Sequence, residues 1–273
     1  MTYKPQWLPS PIDLPVGRHG TAQIKHRIIK AGERVPIVGM RQALTRGVTP
    51  TFGRVETPLR IHELHEDGVG MWMTDLPEEL NQIQEMLATV KPRGSVLVGG
   101  LGLGLVADAV VRLPAVTAVA VVERSADVIA LCAPSGHQWA DVRADYRVVL
   151  ADIRAHLETN GDRHDHYLLD TWGGTSESTW WEDVFPLRRV IRQRHGARPK
   201  IHCWAEDIML GQIFRTLTRT PPHWYMSYLP CPMAEKDARW FVRNVGLPAW
   251  ENRYGGAVDR YAREKLAKEA VHA

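Results

Sequence analysis

Between Val96 and Leu105 the chain reads VLVGGLGLGL, four glycines in six positions behind a short apolar run. A glycine turn after a strand lets the backbone approach a ligand while the N–H groups of the next helix point at it. Gly100, Gly102 and Gly104 supply G-x-G-x-G, and Gly102, Gly104 and Ala107 also fit the G-x-G-x-x-A of a dinucleotide fold. Glycine is equally the ordinary residue of a tight turn with no ligand. What raises the pattern above that reading is an acid after each of three later apolar runs: Glu123, Asp152 and Asp170. Glu123 stands about 20 residues beyond the glycines, where an acid accepts from ribose hydroxyls. Asp152 can accept from an adenine amino group, and Asp170 faces the reacting end of such a crevice.

These residues need a scaffold that brings strand ends together. From Gly94 onward apolar runs alternate with helical segments. Strands are expected at Ser95–Val98, Val116–Val122, Tyr146–Leu150, His166–Leu169 and Lys200–Trp204, with helices near 104–112, 126–132, 152–158, 178–194 and 206–218. The alternation predicts an α/β fold, a mostly parallel sheet with helices on both faces. Residues 1–75 are rich in Pro and Gly, and LRIHELHEDGVGMWMT reads as a hairpin turning at Asp67-Gly68. The division expected is an N-terminal β-rich appendage over 1–75 and a nucleotide-binding domain over 76–273. Met71, Trp72 and Met73 stand out as apolar hairpin residues that need a cover. The spacing of Asp75 and Glu78 predicts a capping box, with Pro77 in the first turn and Leu76, Leu80, Ile83, Met86, Leu87 and Val90 at helical period. Late in the chain, WYMSYL reads as a strand and AVDRYAREKLAKEAVHA as a terminal helix.

A formal charge of +3 over 273 residues, with Lys and Arg spread along the chain, gives no reason to expect a nucleic-acid partner. Three cysteines, widely spaced and without a C-x-x-C pair, fit a reducing compartment. The start, MTYKPQWLPSP, carries no apolar targeting core, and no run reaches the roughly 18 apolar residues of a membrane span. A soluble cytoplasmic protein with no membrane partner is expected, with a homodimer allowed for.

In order and spacing, GSVLVGGLGLGL, VVERSADVIALC, VVLADIRAHL and HYLLDTW resemble motifs I to IV of the class I S-adenosylmethionine-dependent methyltransferases, over about 80 residues. The spermidine-synthase-like branch is the nearest, since its first motif also lacks the acid two residues before the first glycine, a place taken here by Val98. The hairpin followed by EELNQIQEML is similar to that branch's N-terminal β-domain and joining helix. The resemblance implies a Rossmann-like fold and S-adenosyl-L-methionine as cofactor. Gly100, Gly102 and Gly104 would line its methionine and ribose, Glu123 the ribose and Asp152 the adenine.

Departures narrow the activity. Aminopropyltransferases of the branch follow the fourth strand with D-S-x-D-P, whose two acids meet a polyamine's charges; here the residues are Asp170-Thr171-Trp172-Gly173-Gly174. The loop's Asp is Leu103, and Ile83-Gln84 replaces a Tyr-His pair before Glu85. A desolvated polycation needs those carboxylates, so methyl transfer to a small-molecule acceptor is expected, with Asp170 as the catalytic acid–base group. Three alternatives stay open: aminopropyl transfer, a non-catalytic cofactor-binding interaction protein, and a nicotinamide-dependent oxidoreductase. Trp172 at the crevice mouth is a candidate for stacking on substrate. His62 and His65, three apart on a strand, point to opposite faces, and His164 with His166 lack a third ligand, so no metal is expected. The PPHWY at Pro221 lies too late to serve as a base-flipping motif. Trp180 and Trp181 are expected to pack, and the Ser and Thr of GGTSEST to cap the helix after them.

Overall fold

The computed structural model describes residues 10–39, 49–132, 144–176, 179–196, 198–206, 208, 209 and 212. The chain divides into two compact units, one running to Thr171 and regaining Lys200–His202, the other holding Trp172–Pro199 and the chain from Cys203 on. The division falls elsewhere than at residue 75, because the N-terminal strands share a core with the glycine loop.

Six strands precede that loop: β1 (Gly17–His19), β2 (Ala22–Ile29), β3 (Arg34–Val38), β4 (Thr51–Arg54), β5 (Leu59–Glu66) and β6 (Gly70–Thr74). β1, β2, β5 and β6 form an antiparallel sheet in that order, and β3 pairs with β4 alone. The hairpin at Asp67-Gly68 is present, with Gly68 and Gly70 both at positive φ. Of its three apolar residues only Met71 is exposed; Trp72 and Met73 pack against the main core. The cover expected for them is thus supplied within the same unit.

Helix α1 (Pro77–Val90) follows, its buried stripe set by Leu80, Ile83, Met86 and Leu87. Its start corrects the capping-box expectation. The N-cap is Leu76, without a side-chain cap bond. Asp75 turns inward instead: its carboxylate accepts from the backbone N of His62 at 2.7 Å and from His62 Nδ1 at 2.6 Å. Leu14 N donates to His62 Nε2, so the ring is the Nδ1–H tautomer and all its polar atoms are used.

The second sheet is built from β7 (Gly94–Gly99), β8 (Val116–Glu123), β9 (Asp145–Leu150), β10 (His166–Leu169) and β11 (Lys200–Cys203), in the order β11-β10-β7-β8-β9. The pairings of β7 with β10, β7 with β8 and β8 with β9 are parallel. The three central strands, β10, β7 and β8, are mostly apolar and buried, as strands covered on both faces are, while β9 at the edge is largely exposed. Helices α2 (Leu105–Val111), α3 (Ala126–Cys132) and α4 (Ile153–Thr159) connect the strands. This is the Rossmann-like arrangement. One core joins Leu14, Ile24 and Leu64 of the N-terminal strands to Val96 and Val98 of β7, Leu103 of the loop and Val110 of α2.

In the second unit the segment expected as one helix opens with a π-turn, Trp180–Val184, where Phe185 N donates to Trp180 O five residues back, and continues as α5 (Phe185–His195). Ser176 Oγ accepts from Thr179 N at 3.2 Å, the capping expected of GGTSEST. Trp180 is fully buried, edge-on to Trp181 and tilted against Phe185. WYMSYL, PPHWY, the terminal helix and most of the 206–218 helix lie outside the described residues.

Candidate functional site

The parallel register puts the strand ends in line. Leu169 of β10 stands opposite Gly99 of β7, Gly99 opposite Val122 of β8, and Glu123 opposite Leu150 of β9. Three backbone bonds carry the stitching one residue past the strands: Asp170 N to Gly99 O, Gly100 N to Val122 O and Ala151 N to Glu123 O, each 2.9 Å. Asp170, the glycine loop, Glu123 and Asp152 therefore lie in that order along the carboxyl edge. From β10 to β9 is three strand spacings, about 14 Å.

The three glycines of the turn all have positive φ, 90°, 52° and 82°, yet each admits something different. A Cβ at Gly100 would fall onto the backbone carbonyl oxygen of Asp170, closer than side chains are ever found. A Cβ at Gly102 would lie 2.6 Å from the sulfur of Met73. At Gly104 nothing comes nearer than 3.8 Å; this residue is the left-handed N-cap of α2. The close approach at Gly102, expected to be a ligand's, is made in this structure by a side chain from β6. Met73 Sδ also accepts from Leu103 N at 3.4 Å.

Glu123, half-buried, closes the loop from the other side. Its Oε2 accepts from Leu101 N and its Oε1 from Ser125 N, both at 2.8 Å. An ionised carboxylate offers about four acceptor positions, so each oxygen retains one for a hydroxyl. Asp152 is the N-cap of α4, its Oδ1 accepting from Ala155 N at 2.9 Å. That bond accounts for an acid here without a ligand and leaves acceptor capacity for one. Asp170 is half-buried beside Gly100. Trp172 is 9% exposed and opens the second unit.

Around the first unit's edge, the β1–β2 turn grips the first turn of α3. Asp127 accepts from Thr21 N at 2.9 Å, from Thr21 Oγ1 at 3.1 Å and from His19 Nδ1 at 2.9 Å. The Thr21 amide above all, with the His19 ring and the Thr21 hydroxyl, holds this carboxyl below the usual range. Arg124, next to Glu123, lies 5.9 Å above the Trp72 ring. Burial, with the charge of Glu123, pushes the Cys132 thiol up to about 12, which removes it as a nucleophile.

The sequence marks Met73 only as an apolar hairpin residue and Asp127 not at all, since nothing local records a thioether or an acid that finds its partner through space. Three of the four histidines have side-chain partners. His62 is buried on Asp75, while His65 shares Glu63 with Arg27. His164 Nδ1 lies 2.8 Å from Ser95 Oγ at the opposite, amino end of the sheet. Among the described residues no group of three His, Cys, Asp or Glu side chains is disposed to hold a metal, and no helix is long and apolar enough to cross a membrane.

No protein-family model matches the chain, and no curated protein does. Solved structures resemble it in part. An S-adenosylmethionine-dependent methyltransferase from Clostridium acetobutylicum is 13% identical with a TM-score of 0.31, over 42% of this chain and 44% of that one. TrmN from Thermus thermophilus is 16% identical with a TM-score of 0.34, over 49% and 40%. Spermidine synthase from Thermotoga maritima is 18% identical with a TM-score of 0.29, over 50% and 60%. The chain spans less than half the length of the first two. Scores this low carry no inference, and the fold rests on the strand order and register of the chain itself.

Proposed function

We propose that the carboxyl edge of the β10-β7-β8-β9 sheet binds S-adenosylmethionine and that the chain transfers its methyl group to a small-molecule acceptor. The observation that carries this reading is the ordered row of Asp170, glycine turn, Glu123 and Asp152 along one edge. Its length of about three strand spacings suits a nucleoside joined to an amino-acid end. The spare acceptor positions of Glu123 and Asp152 suit ribose hydroxyls and an adenine amino group.

When bound, the sulfonium supplies an electrophilic methyl. Asp170, at the end of the row away from Asp152, orients the acceptor and takes its proton; the rest is positioning and exclusion of water. The end of β6, held beside the glycine turn by the bonds of Asp75 to His62, supports a covered site, hence a small acceptor. Gly173, where an aminopropyltransferase of the resembling branch has its second acid, disfavours a polyamine.

Calorimetry with adenosylmethionine, adenosylhomocysteine and NAD tests the binding half. Adenosylmethionine and its product should bind and NAD should not. Asp152→Asn, which keeps a capping oxygen, and Glu123→Ala should both weaken binding. Equal binding of NAD would remove the reading. For the chemistry, Asp170→Asn keeps shape and loses charge. Cofactor affinity should hold, while turnover, found by screening small acceptors for adenosylhomocysteine release, should fall about 10²-fold or more. Cofactor binding with no turnover on any acceptor would favour a non-catalytic cofactor-binding protein.

A further inference from the structure

The amide of Leu103 lies in the middle of the glycine turn, where a donor meets the polar end of a bound ligand. In the structure it already has a partner, Met73 Sδ at 3.4 Å, and that same sulfur fills the space left by the missing Cβ of Gly102. A thioether is a weak acceptor, so it satisfies a partly buried N–H without holding it against an oxygen. Met is also the most adaptable apolar side chain, with three rotatable bonds. Its backbone is far less free. Two residues on, the Asp75 carboxylate is locked to both the backbone and the ring of His62, and Asp75 N donates to His62 O. Across the sheet Met73 pairs with Leu64, whose side chain is in the core. A fixed backbone thus carries a movable sulfur onto a donor of the ligand-binding turn.

Resting on the adenosyl reading above, we propose that Met73 is a placeholder contributed by the N-terminal sheet: its thioether caps the Leu103 amide in the free protein and yields it to an oxygen of the ligand's amino-acid end. The ligand displaces Met73, so the wild type gives up in binding whatever the sulfur contact was worth. Removing the acceptor should therefore tighten binding.

The test is titration of the full chain and of Met73→Leu and Met73→Ala with adenosylhomocysteine, alongside NMR of the Met73 methyl and the Leu103 amide in the wild type. Expected are affinities at least threefold higher in both variants and ligand-dependent shifts of both wild-type signals. Met73→Leu, close in volume, keeps the outcome readable if Met73→Ala lowers the melting temperature. Weaker binding by Met73→Leu would overturn the proposal, because a residue that only props the turn or touches the bound ligand loses affinity when replaced. So would binding by the wild type that leaves both signals unmoved, and in that case the adenosyl reading would still stand. No binding by the wild type or either variant would remove the adenosyl reading and this proposal with it.

Discussion

A methyl group added at Gly100 would meet the carbonyl oxygen of Asp170, and added at Gly161 it would meet nothing within 4 Å. Gly100→Ala also forces a side chain to φ 90°. The left-handed backbone alone costs about 1–2 kcal/mol, and moving a backbone oxygen adds to it. Urea denaturation should show Gly100→Ala less stable by more than about 2 kcal/mol, with Gly161→Ala within about 0.5 kcal/mol of wild type. An intact Gly100→Ala would mean that β7 and β10 do not meet as described. The need for glycine at 100, 102 and 104 was legible in the sequence. What each one makes room for was not, because the neighbours come from residues 73 and 170 and no local pattern records a through-space approach. Glu123 and Asp152 were legible as acids at strand ends, but not their bonds to Leu101, Ser125 and Ala155, which give each carboxylate a structural task.

The elements themselves are legible in the sequence, since period and turn residues act locally. The five strands of the parallel sheet fall within one residue of their expected ends, and α3 falls on 126–132 as read. The start of α1 departs from the capping-box expectation for a physical reason: Asp followed three residues later by Glu looks the same whether the Asp faces the helix amides or the core. The two cases separate experimentally. Ser caps a helix about as well as Asp, but cannot meet both the backbone N–H and the ring of His62. Asp75→Ser should therefore cost about 2–4 kcal/mol in chemical denaturation, where a cap replacement would cost almost nothing. The grip of the β1–β2 turn on α3 predicts a pH signature. The Asp127 carboxyl titrates below its ordinary 3.8 when folded, so its contribution is full above that value and is lost as pH falls through the lowered one. The stability gap between wild type and Asp127→Asn should be constant near neutrality and close below about pH 4, measured as denaturation midpoints. A gap that persists into acid would mean the charge is not what holds the turn.

At the scale of the molecule, the composition of the first 75 residues suggests an appendage, yet Ile12, Leu14, Ile24 and Leu64 belong to the same buried cluster as Val96, Leu103 and Val110. Composition reveals a β-rich segment but not whose core it completes. Deleting residues 1–74 should therefore leave a chain that aggregates or unfolds without cooperativity by circular dichroism, because the face of α1, α2 and the glycine turn loses its cover. A monomeric fragment with a sharp transition would show that the parallel sheet stands alone. The strand order has one more consequence, for the chain as it is made. β10 lies against β7 although Ser95 and Asp165, bonded at its foot, are 70 residues apart. At about 5–20 residues per second, the Val96–Val98 edge leaves the ribosome roughly 4–14 seconds before its neighbour does. Through that interval the nascent chain carries a bare apolar strand edge, the kind of template on which chains join one another, and any message cut short before His166 yields only that form.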